Sequence, residues 1–245
     1  MKRIFPIWII FFLGITSCED VDSIVNSISK RNIIECEAIG FGGSPSKMYK
    51  KFEKLKRKAS NEELFQLMNH DSLAVVGYSA YALMDKEIIQ PHEILQRFLS
   101  QDENVTTFCG CNGRIESISS LVYHRYWNKR VEYPEFENYE LYKINDSREL
   151  QIMDSLILYS ENPDWILLSR ALSNRIYSIE YSSVIEDWAF KKKDHYALMY
   201  VYKNLLNENK ERLVNALNEY LRNENLYENY RLEVVQALEV IRDES

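Results

Sequence analysis

Glycine and proline are scarce in this chain of 245 residues, which contains 7 Gly and 5 Pro. The last glycine is Gly113, so more than half of the sequence follows without another. β-Sandwiches use glycine in their turns, and phosphate-binding loops use it to bring the backbone close to the ligand. The scarcity therefore argues against both and favours a chain built mostly from helices.

Recognisable catalytic and metal-binding motifs are also missing from the sequence. No HExxH pair and no Gly-x-Ser-x-Gly nucleophile motif occurs. The histidines are scattered along the chain as His70, His92, His124 and His195. Paired acids such as Glu161 and Asp164, or Glu186 and Asp187, fall at expected helix boundaries, where capping and the helix dipole favour carboxylates. We therefore expect no catalytic residues, no cofactor and no metal ion.

The charge balance of the chain is acidic. It contains 30 Lys and Arg residues against 37 Asp and Glu, which gives a formal net charge of −7. General nucleic-acid binding requires a basic face that neutralises phosphates. We therefore expect no nucleic-acid partner.

The first residues have the layout of an export signal. Lys2 and Arg3 precede an apolar run over residues 4–13, which is too short to cross a bilayer. The sequence after this run resembles the lipobox of bacterial lipoproteins, Ile15-Thr16-Ser17-Cys18. The resemblance implies that residues 1–17 are a signal peptide and that the Cys18 thiol is diacylated. An ordinary signal peptide, or a short N-terminal anchor with an incidental Cys18, is the alternative.

The same resemblance implies a location in the cell envelope of a Gram-negative bacterium, because two or three acyl chains anchor a protein stably. The outer membrane is favoured, and the choice between its surface and its periplasmic face stays open. Early acids at Glu19, Asp20 and Asp22 resemble a surface-export signal of some lipoproteins. An acid directly after the cysteine also resembles an inner-membrane retention signal.

Three further cysteines remain, Cys36, Cys109 and Cys111. An exported protein lies in an oxidising compartment, where disulfides persist. A bridge between Cys109 and Cys111 would be strained, because one residue separates them. A disulfide from Cys36 to either one is the prediction. Buried thiols are an alternative, and a metal site is a weaker one, because the spacing matches no zinc motif.

Residues 18–45 show weak periodicity and end in a glycine-rich stretch, so they are predicted to be a lipidated tether with room for a short helix near 21–28. From residue 46 to 245, helical periodicity dominates. The first helical stripe is Met48, Phe52, Leu55 and Ala59. The opposite face is basic, which fits a solvated helix surface or, less favoured, contact with anionic lipid headgroups. Residues 100–113 are expected to form a loop.

An apolar stretch over residues 63–68, a turn at His70-Asp71 and a second apolar stretch over 74–83 resemble a HEAT-type helical repeat. Gly77 stands where that family often has an arginine, so its usual Asp–Arg ladder is missing. Later helix pairs fit the pattern less closely. The prediction is an all-α domain over 46–245, in which antiparallel hairpins stack as a short HEAT-like α-solenoid. A compact irregular helical bundle is the alternative.

Tyrosines are concentrated near the C-terminus at Tyr196, Tyr200, Tyr202, Tyr220, Tyr227 and Tyr230. They suit the edge of a core, which is the favoured interpretation, or an interaction surface. The sequence thus predicts a lipid-anchored, non-enzymatic protein that binds or scaffolds another protein. Alternatives are an immunity-type lipoprotein that neutralises a toxin and, less favoured, an envelope hydrolase.

Overall fold

The computed structural model describes residues 20–101, 103–132, 143–223 and 225–243. Within these ranges the α-helices are α1 (Val21–Arg31), α2 (Lys47–Lys58), α3 (Asn61–Leu67), α4 (Leu73–Asp85), α5 (Pro91–Phe98), α6 (Ile118–Asn128), α7 (Arg148–Tyr159), α8 (Trp165–Asn174), α9 (Ser182–Glu186), α10 (His195–Asn204), α11 (Leu206–Tyr220) and α12 (Glu228–Asp243). The β-strands are β1 (Ile33–Ile39), β2 (Ser44–Pro45), β3 (Asn104–Gly110), β4 (Asn112–Ser117), β5 (Val131–Glu132) and β6 (Lys143–Ile144). A 3₁₀ turn (Ile179–Tyr181) precedes α9, and a π-helical turn (Asp187–Lys191) follows it.

The predicted all-α fold is wrong, both as a HEAT-like solenoid and as a helical bundle, because the chain contains a four-stranded mixed sheet. The strand order is β2-β1-β3-β4. Strands β1 and β3 are parallel, and β2 and β4 are antiparallel to their neighbours. Helices α2 to α5 lie in the connection between the parallel strands. The hairpin α3–α4 that resembled a repeat is therefore part of a crossover.

The sheet forms because its strands carry β-branched residues that pack well on a pleated surface. Ile34 of β1 is paired with Thr107 of β3, and Val105 of β3 is paired with Glu116 of β4. Gly110 has a φ of +56°, a left-handed conformation that favours glycine at the turn between β3 and β4. The segment expected to be a loop over residues 100–113 is thus largely β3 and this hairpin.

The segment predicted to be a tether over residues 18–45 is folded into the body from Asp20 onward. Asp20 caps α1 by accepting a hydrogen bond from Ser23 N at 2.8 Å. Helix α1 buries Ile24 and Ile28, and β1 buries Ile34. These apolar side chains join the core cluster that runs through the rest of the molecule. Residues 20–45 are therefore part of the folded body.

Ten of the thirteen residues of α4 are buried, and the helix has no polar face. Other elements therefore surround it. A Cβ atom on Gly77 would lie 2.3 Å from Ile34 Cδ1, so the glycine allows α4 to approach β1 closely. Tyr78 OH accepts a hydrogen bond from Glu35 N at 2.8 Å and donates one to Glu35 O at 3.1 Å. Gly77, the position at which HEAT repeats often have an arginine, therefore forms a contact between helix and sheet in this chain.

An ion-pair network joins α2, α4 and α6 around Asp85, whose side chain is 12% exposed. Arg125 donates to it from Nε at 3.0 Å and from Nη2 at 2.5 Å, and Lys56 and Lys129 donate at 3.1 and 3.3 Å. Burial raises the pKa of Asp85, but the hydrogen bonds and charges of these cations outweigh it and lower the pKa to about 2. Asp85 is therefore ionised and structural.

Candidate functional site

An open cleft of about 480 Å³ lies between the C-terminal end of α8, one face of α10 and the middle of α12. We call it the C-terminal cleft. Its lining consists of Leu172, Ser173, Arg175, Ile176, His195, Tyr196, Met199, Tyr200, Lys203, Asn204 and Glu233. Apolar, aromatic and charged side chains therefore meet in one concavity, which is the usual composition of a binding site.

His195 is placed in this cleft by the start of α10. Asp194 caps the helix by accepting a hydrogen bond from Ala197 N at 2.9 Å, and burial raises the pKa of this carboxyl. The His195 side chain is 5% exposed, and its Nε2 lies 2.8 Å from Glu233 Oε2. An ionised carboxylate only accepts hydrogen bonds, so Nε2 carries the hydrogen of this contact. His195 thereby links α10 to α12.

A shell of tyrosines encloses the imidazole. The ring of Tyr230 stacks on His195 with centroids 4.1 Å apart, and Tyr196 and Tyr220 lie at 5.4 and 5.7 Å. The hydroxyls of Tyr196 and Tyr230 share a hydrogen bond of 2.7 Å. Burial raises the pKa of Tyr196 and raises that of Tyr220 to about 12, so these phenols are neutral at physiological pH. Three of the tyrosines noted in the sequence thus surround one histidine.

His195 Nδ1 is buried and has no hydrogen-bond partner. With Nε2 bound to Glu233, this nitrogen is an acceptor in the neutral ring. Three tyrosine rings, those of Tyr196, Tyr220 and Tyr230, lie next to the imidazole. The contacts of His195 with Glu233 and Tyr230 therefore tie α10 to α12 at the wall of the cleft.

The opposite wall of the cleft rests on a buried polar network around Asp154, which is fully buried. Tyr123 OH donates to Asp154 Oδ1 at 2.6 Å, Asn174 Nδ2 donates to both carboxylate oxygens at 3.0 Å, and Arg175 donates to Oδ2 from Nε and Nη2. Arg175 Nη1 reaches the exposed Asp146 at 2.6 Å. Burial raises the pKa of Asp154 to about 6, against the opposing effect of these donors.

This network fixes the backbone that turns from α8 toward the cleft. Trp127 Nε1 donates to Asn174 Oδ1 at 3.0 Å, which ties the end of α8 to α6. Beyond it, Tyr177 N donates to Tyr200 OH at 2.7 Å, and Tyr177 OH donates to Ala171 O at 2.7 Å. The residue between these anchored positions, Ile176, is 80% exposed at the edge of the cleft. A well-ordered turn thus presents an isoleucine to solvent.

The remaining histidines have structural partners. His70 Nδ1 accepts a hydrogen bond from Ser72 N at 2.9 Å in the turn between α3 and α4. His92 Nδ1 lies 2.9 Å from Glu149 Oε2, and His124 Nδ1 lies 3.5 Å from Glu116 Oε2. Among the described residues no group of three or more acids, histidines and cysteines could hold a metal ion.

Cys36 and Cys109 lie in the sheet, and Cys111 lies in the turn between β3 and β4. Cys36 of β1 is joined to Cys109 of β3 by a disulfide, and Cys111 is exposed as a free thiol. This is one of the two pairings that the sequence left open. The lipidation site Cys18 and the signal peptide of residues 1–17 lie outside the described residues. No described helix is both long enough and apolar enough to cross a bilayer.

Sequence reasoning found part of this site. It singled out Tyr196, Tyr200, Tyr220 and Tyr230, but it gave His195 no role. It gave no role to Ile176, Arg175 or Asp154, which come together only through the packing of α6, α7 and α8. The local sequence signal for this site was Asp194-His195-Tyr196, in which an acid and a tyrosine flank a histidine at a helix start.

Comparison of the chain with protein-family models, with curated proteins and with solved structures found no significant match.

Proposed function

We propose that this protein is a lipid-anchored binding module of a bacterial cell envelope, and that it holds another protein at the C-terminal cleft. The observation that best supports this proposal is that the hydrogen-bonded turn after α8 exposes Ile176 beside a cleft lined with tyrosines. Ile179, three residues further on, is 73% exposed. Exposed apolar side chains beside buried aromatic ones are typical of interface centres.

The charges of the cleft supply the polar edge that such an interface needs. Lys203 of α10 and Glu233 of α12 lie on different helices of the cleft, and Arg175 also lines it. A partner that inserts an apolar side chain against Leu172 and Met199 can also make hydrogen bonds at this edge. Polar groups around an apolar centre give such interfaces their specificity.

A binding role fits this chemistry better than catalysis. His195 is the only histidine in the cleft, and its polar contact is Glu233. A hydrolase needs a nucleophile or an activated water next to such a base. The arrangement orders a surface, and it supports the proposal of a non-enzymatic module.

The proposal of a lipid anchor rests on the lipobox at residues 15–18, and replacing Cys18 tests it. The Cys18→Ser variant should lose acyl chains, which mass spectrometry of the mature N-terminus detects. It should also move from the detergent phase to the aqueous phase in detergent partitioning. An unchanged partition would contradict lipidation at Cys18.

The binding role is tested by purifying the protein from solubilised membranes. The double variant Ile176→Glu/Ile179→Glu places two charges at the cleft edge and should lose a stoichiometric protein that copurifies with the parent chain. Phe65→Glu/Ile88→Glu is the matched control, because it changes two exposed apolar side chains away from the cleft. Identical copurified proteins for both variants would contradict a binding role for the cleft.

A further inference from the structure

We propose that a second pocket, at the N-terminal end of α8, binds a neutral sugar ring of a glycan and that Trp165 is the platform on which the ring stacks. The pocket has a volume of about 530 Å³, and its lining includes Leu99, Ile115, Ser119, Asn162, Asp164 and Trp165. We call it the Trp165 pocket. It shares no lining residue with the C-terminal cleft, which lies at the other end of α8. A sugar site here is therefore independent of the proposed protein partner.

The Trp165 pocket lies where three connections of the chain meet. Leu99 and Gln101 belong to the connection between α5 and β3, and Ser117 and Ser119 lie at the junction of β4 with α6. Residues 162–165 belong to the connection between α7 and α8. Small-ligand sites are concavities of about 300–1,000 Å³, so the volume of this pocket is sufficient for a sugar ring.

The pocket exposes a large aromatic side chain. Trp165 is the first residue of α8 and is 61% exposed, and Ile115 of β4 is 74% exposed. A pyranose ring carries C–H groups on its faces and hydroxyl groups at its edge. The C–H groups pack on the electron-rich face of an indole ring, which burying a fully polar ligand would not require. Trp165 therefore suits one face of a sugar.

A chain of hydrogen bonds fixes the carboxylate next to this indole. Ser117 Oγ accepts a hydrogen bond from Ser120 N at 3.1 Å and lies 2.9 Å from Ser119 Oγ. It donates to Asp164 Oδ2 at 3.4 Å, and Asp164 Oδ1 accepts from Ile166 N at 2.9 Å. A carboxylate accepts about four hydrogen bonds, so these two leave capacity for the hydroxyl groups of a ligand.

The charge of the lining favours a neutral ligand with many hydroxyl groups. Six of the ten lining residues are polar, and Asp164 is the only charged residue among the described ones that line the pocket. A phosphate or carboxylate ligand is normally held by arginine or lysine. The amides of Gln101 and Asn162 both donate and accept hydrogen bonds, as sugar hydroxyl groups do. A neutral sugar therefore matches the lining better than an anion.

The test uses the full chain, labelled with 5-fluorotryptophan and purified in a detergent without a sugar headgroup. Loss of one ¹⁹F resonance in Trp165→Phe assigns the signal of Trp165. The probes are the tetrasaccharides of cellulose, starch, xylan and chitin. We expect at least one of them to shift the Trp165 resonance in a saturable manner. The resonances of Trp127 and Trp188, which are buried, should stay unchanged.

Two variants with matched controls locate the binding. Trp165→Ala should abolish saturation transfer from the protein to the sugar, whereas Tyr227→Ala, which removes another exposed aromatic ring, should keep it. Asp164→Asn keeps a good helix cap but loses the charged acceptor, so the affinity for the sugar should fall about tenfold. Asp146→Asn changes a carboxylate outside the pocket and should leave the affinity unchanged.

Tetramethylammonium is the probe for a competing occupant, because a cation also stacks on an indole ring. A Trp165 resonance that moves with this cation and with none of the four sugars would overturn the proposal. Sugar binding that survives Trp165→Ala would do the same, and so would a Trp165 resonance that no probe shifts.

Discussion

The N-terminal and C-terminal halves of this protein each contain a carboxylate that binds arginine in the interior or at its edge, and the pKa values of the two carboxylates shift in opposite directions. Asp85 keeps contact with solvent and receives three cations, so its pKa falls to about 2. Asp154 has no exposed surface and binds one arginine, so burial prevails and its pKa rises to about 6. The balance between desolvation and the number of cations decides the direction of the shift.

The two halves also differ in how they are held together. Residues 20–132 contain the four-stranded sheet and the disulfide. In residues 143–223 and 225–243, the larger elements are helices. The Asp154 network ties α7 and the end of α8 to α6 of the first half, and the C-terminal cleft lies open beside α10. We infer that the first half serves as a frame and that the second half carries the proposed binding surface.

The strongest test of this comparison removes the buried carboxylate of the C-terminal half. Asp154→Ala leaves Arg175, Tyr123 and Asn174 without their acceptor and should lower the free energy of unfolding by about 3–5 kcal/mol. Denaturant unfolding measures the change. Asp146→Asn changes an exposed partner of the same arginine and should cost less than about 1 kcal/mol. Equal losses for both variants would show that the network is not buried as described.

The next test concerns the disulfide that joins β1 to β3 in the N-terminal half. The disulfide between Cys36 and Cys109 closes a separation of 73 residues. Its loss in Cys36→Ser/Cys109→Ser should lower the free energy of unfolding by about 4 kcal/mol in the chain-entropy treatment. Cys111→Ser, which changes the exposed free thiol, should leave stability unchanged. Three alkylatable thiols at Cys36, Cys109 and Cys111 in unreduced protein would contradict the bond.

The opposite pKa shifts predict opposite responses to pH. The raised pKa of Asp154 means that its stabilising contribution is complete below pH 3.8 and is lost as the pH rises through about 6. The stability advantage of the parent over Asp154→Asn should therefore be about 2 kcal/mol larger at pH 4 than at pH 7.5.

Asp85 supplies the converse case. Its lowered pKa gives a contribution that is complete above pH 3.8 and is lost as the pH falls through about 2. The advantage of the parent over Asp85→Asn should therefore be about 2 kcal/mol larger at pH 7 than at pH 2. Unfolding curves across this range check both signs. The same sign for both variants would contradict the contrast between the two halves.

The smallest expected effect concerns the close contact between helix and sheet. Gly77→Ala places a methyl group against Ile34 and should lower stability by about 1–3 kcal/mol. The second change Ile34→Val removes the Cδ1 atom that the new methyl group meets, so the double variant should recover part of the loss. Strictly additive losses in denaturant unfolding would show that the two side chains do not meet.

Much of the helical structure could be predicted from sequence, because its signals are local. Ser60 and Glu63 form a capping box at the start of α3, and Pro91 is the first residue of α5; both are patterns that a sequence displays. The sheet could not be predicted in the same way, because β1 pairs with β3 across four intervening helices. Val105-Thr106-Thr107-Phe108 before Cys-Gly-Cys-Asn-Gly was the one local sign of a strand and hairpin.

The candidate site was predictable only in its aromatic part. Clustered tyrosines can be counted in a sequence, but the meeting of Arg175 with Asp154 depends on how α7 and α8 cross. The exposure of Ile176 is likewise invisible to periodicity, because this residue lies in a turn between helices. Long-range packing, and not composition, creates the cleft.

The most direct test of the proposed function is site-specific photocrosslinking in intact cells. A photoreactive amino acid at Lys203, which is exposed and lines the cleft, should crosslink to one protein, and Ile176→Glu should abolish that product. The same amino acid at Ile88, on the opposite half of the chain, is the control and should not give it. A product at Lys203 that persists with Ile176→Glu, or one that forms only at Ile88, would contradict binding at the C-terminal cleft.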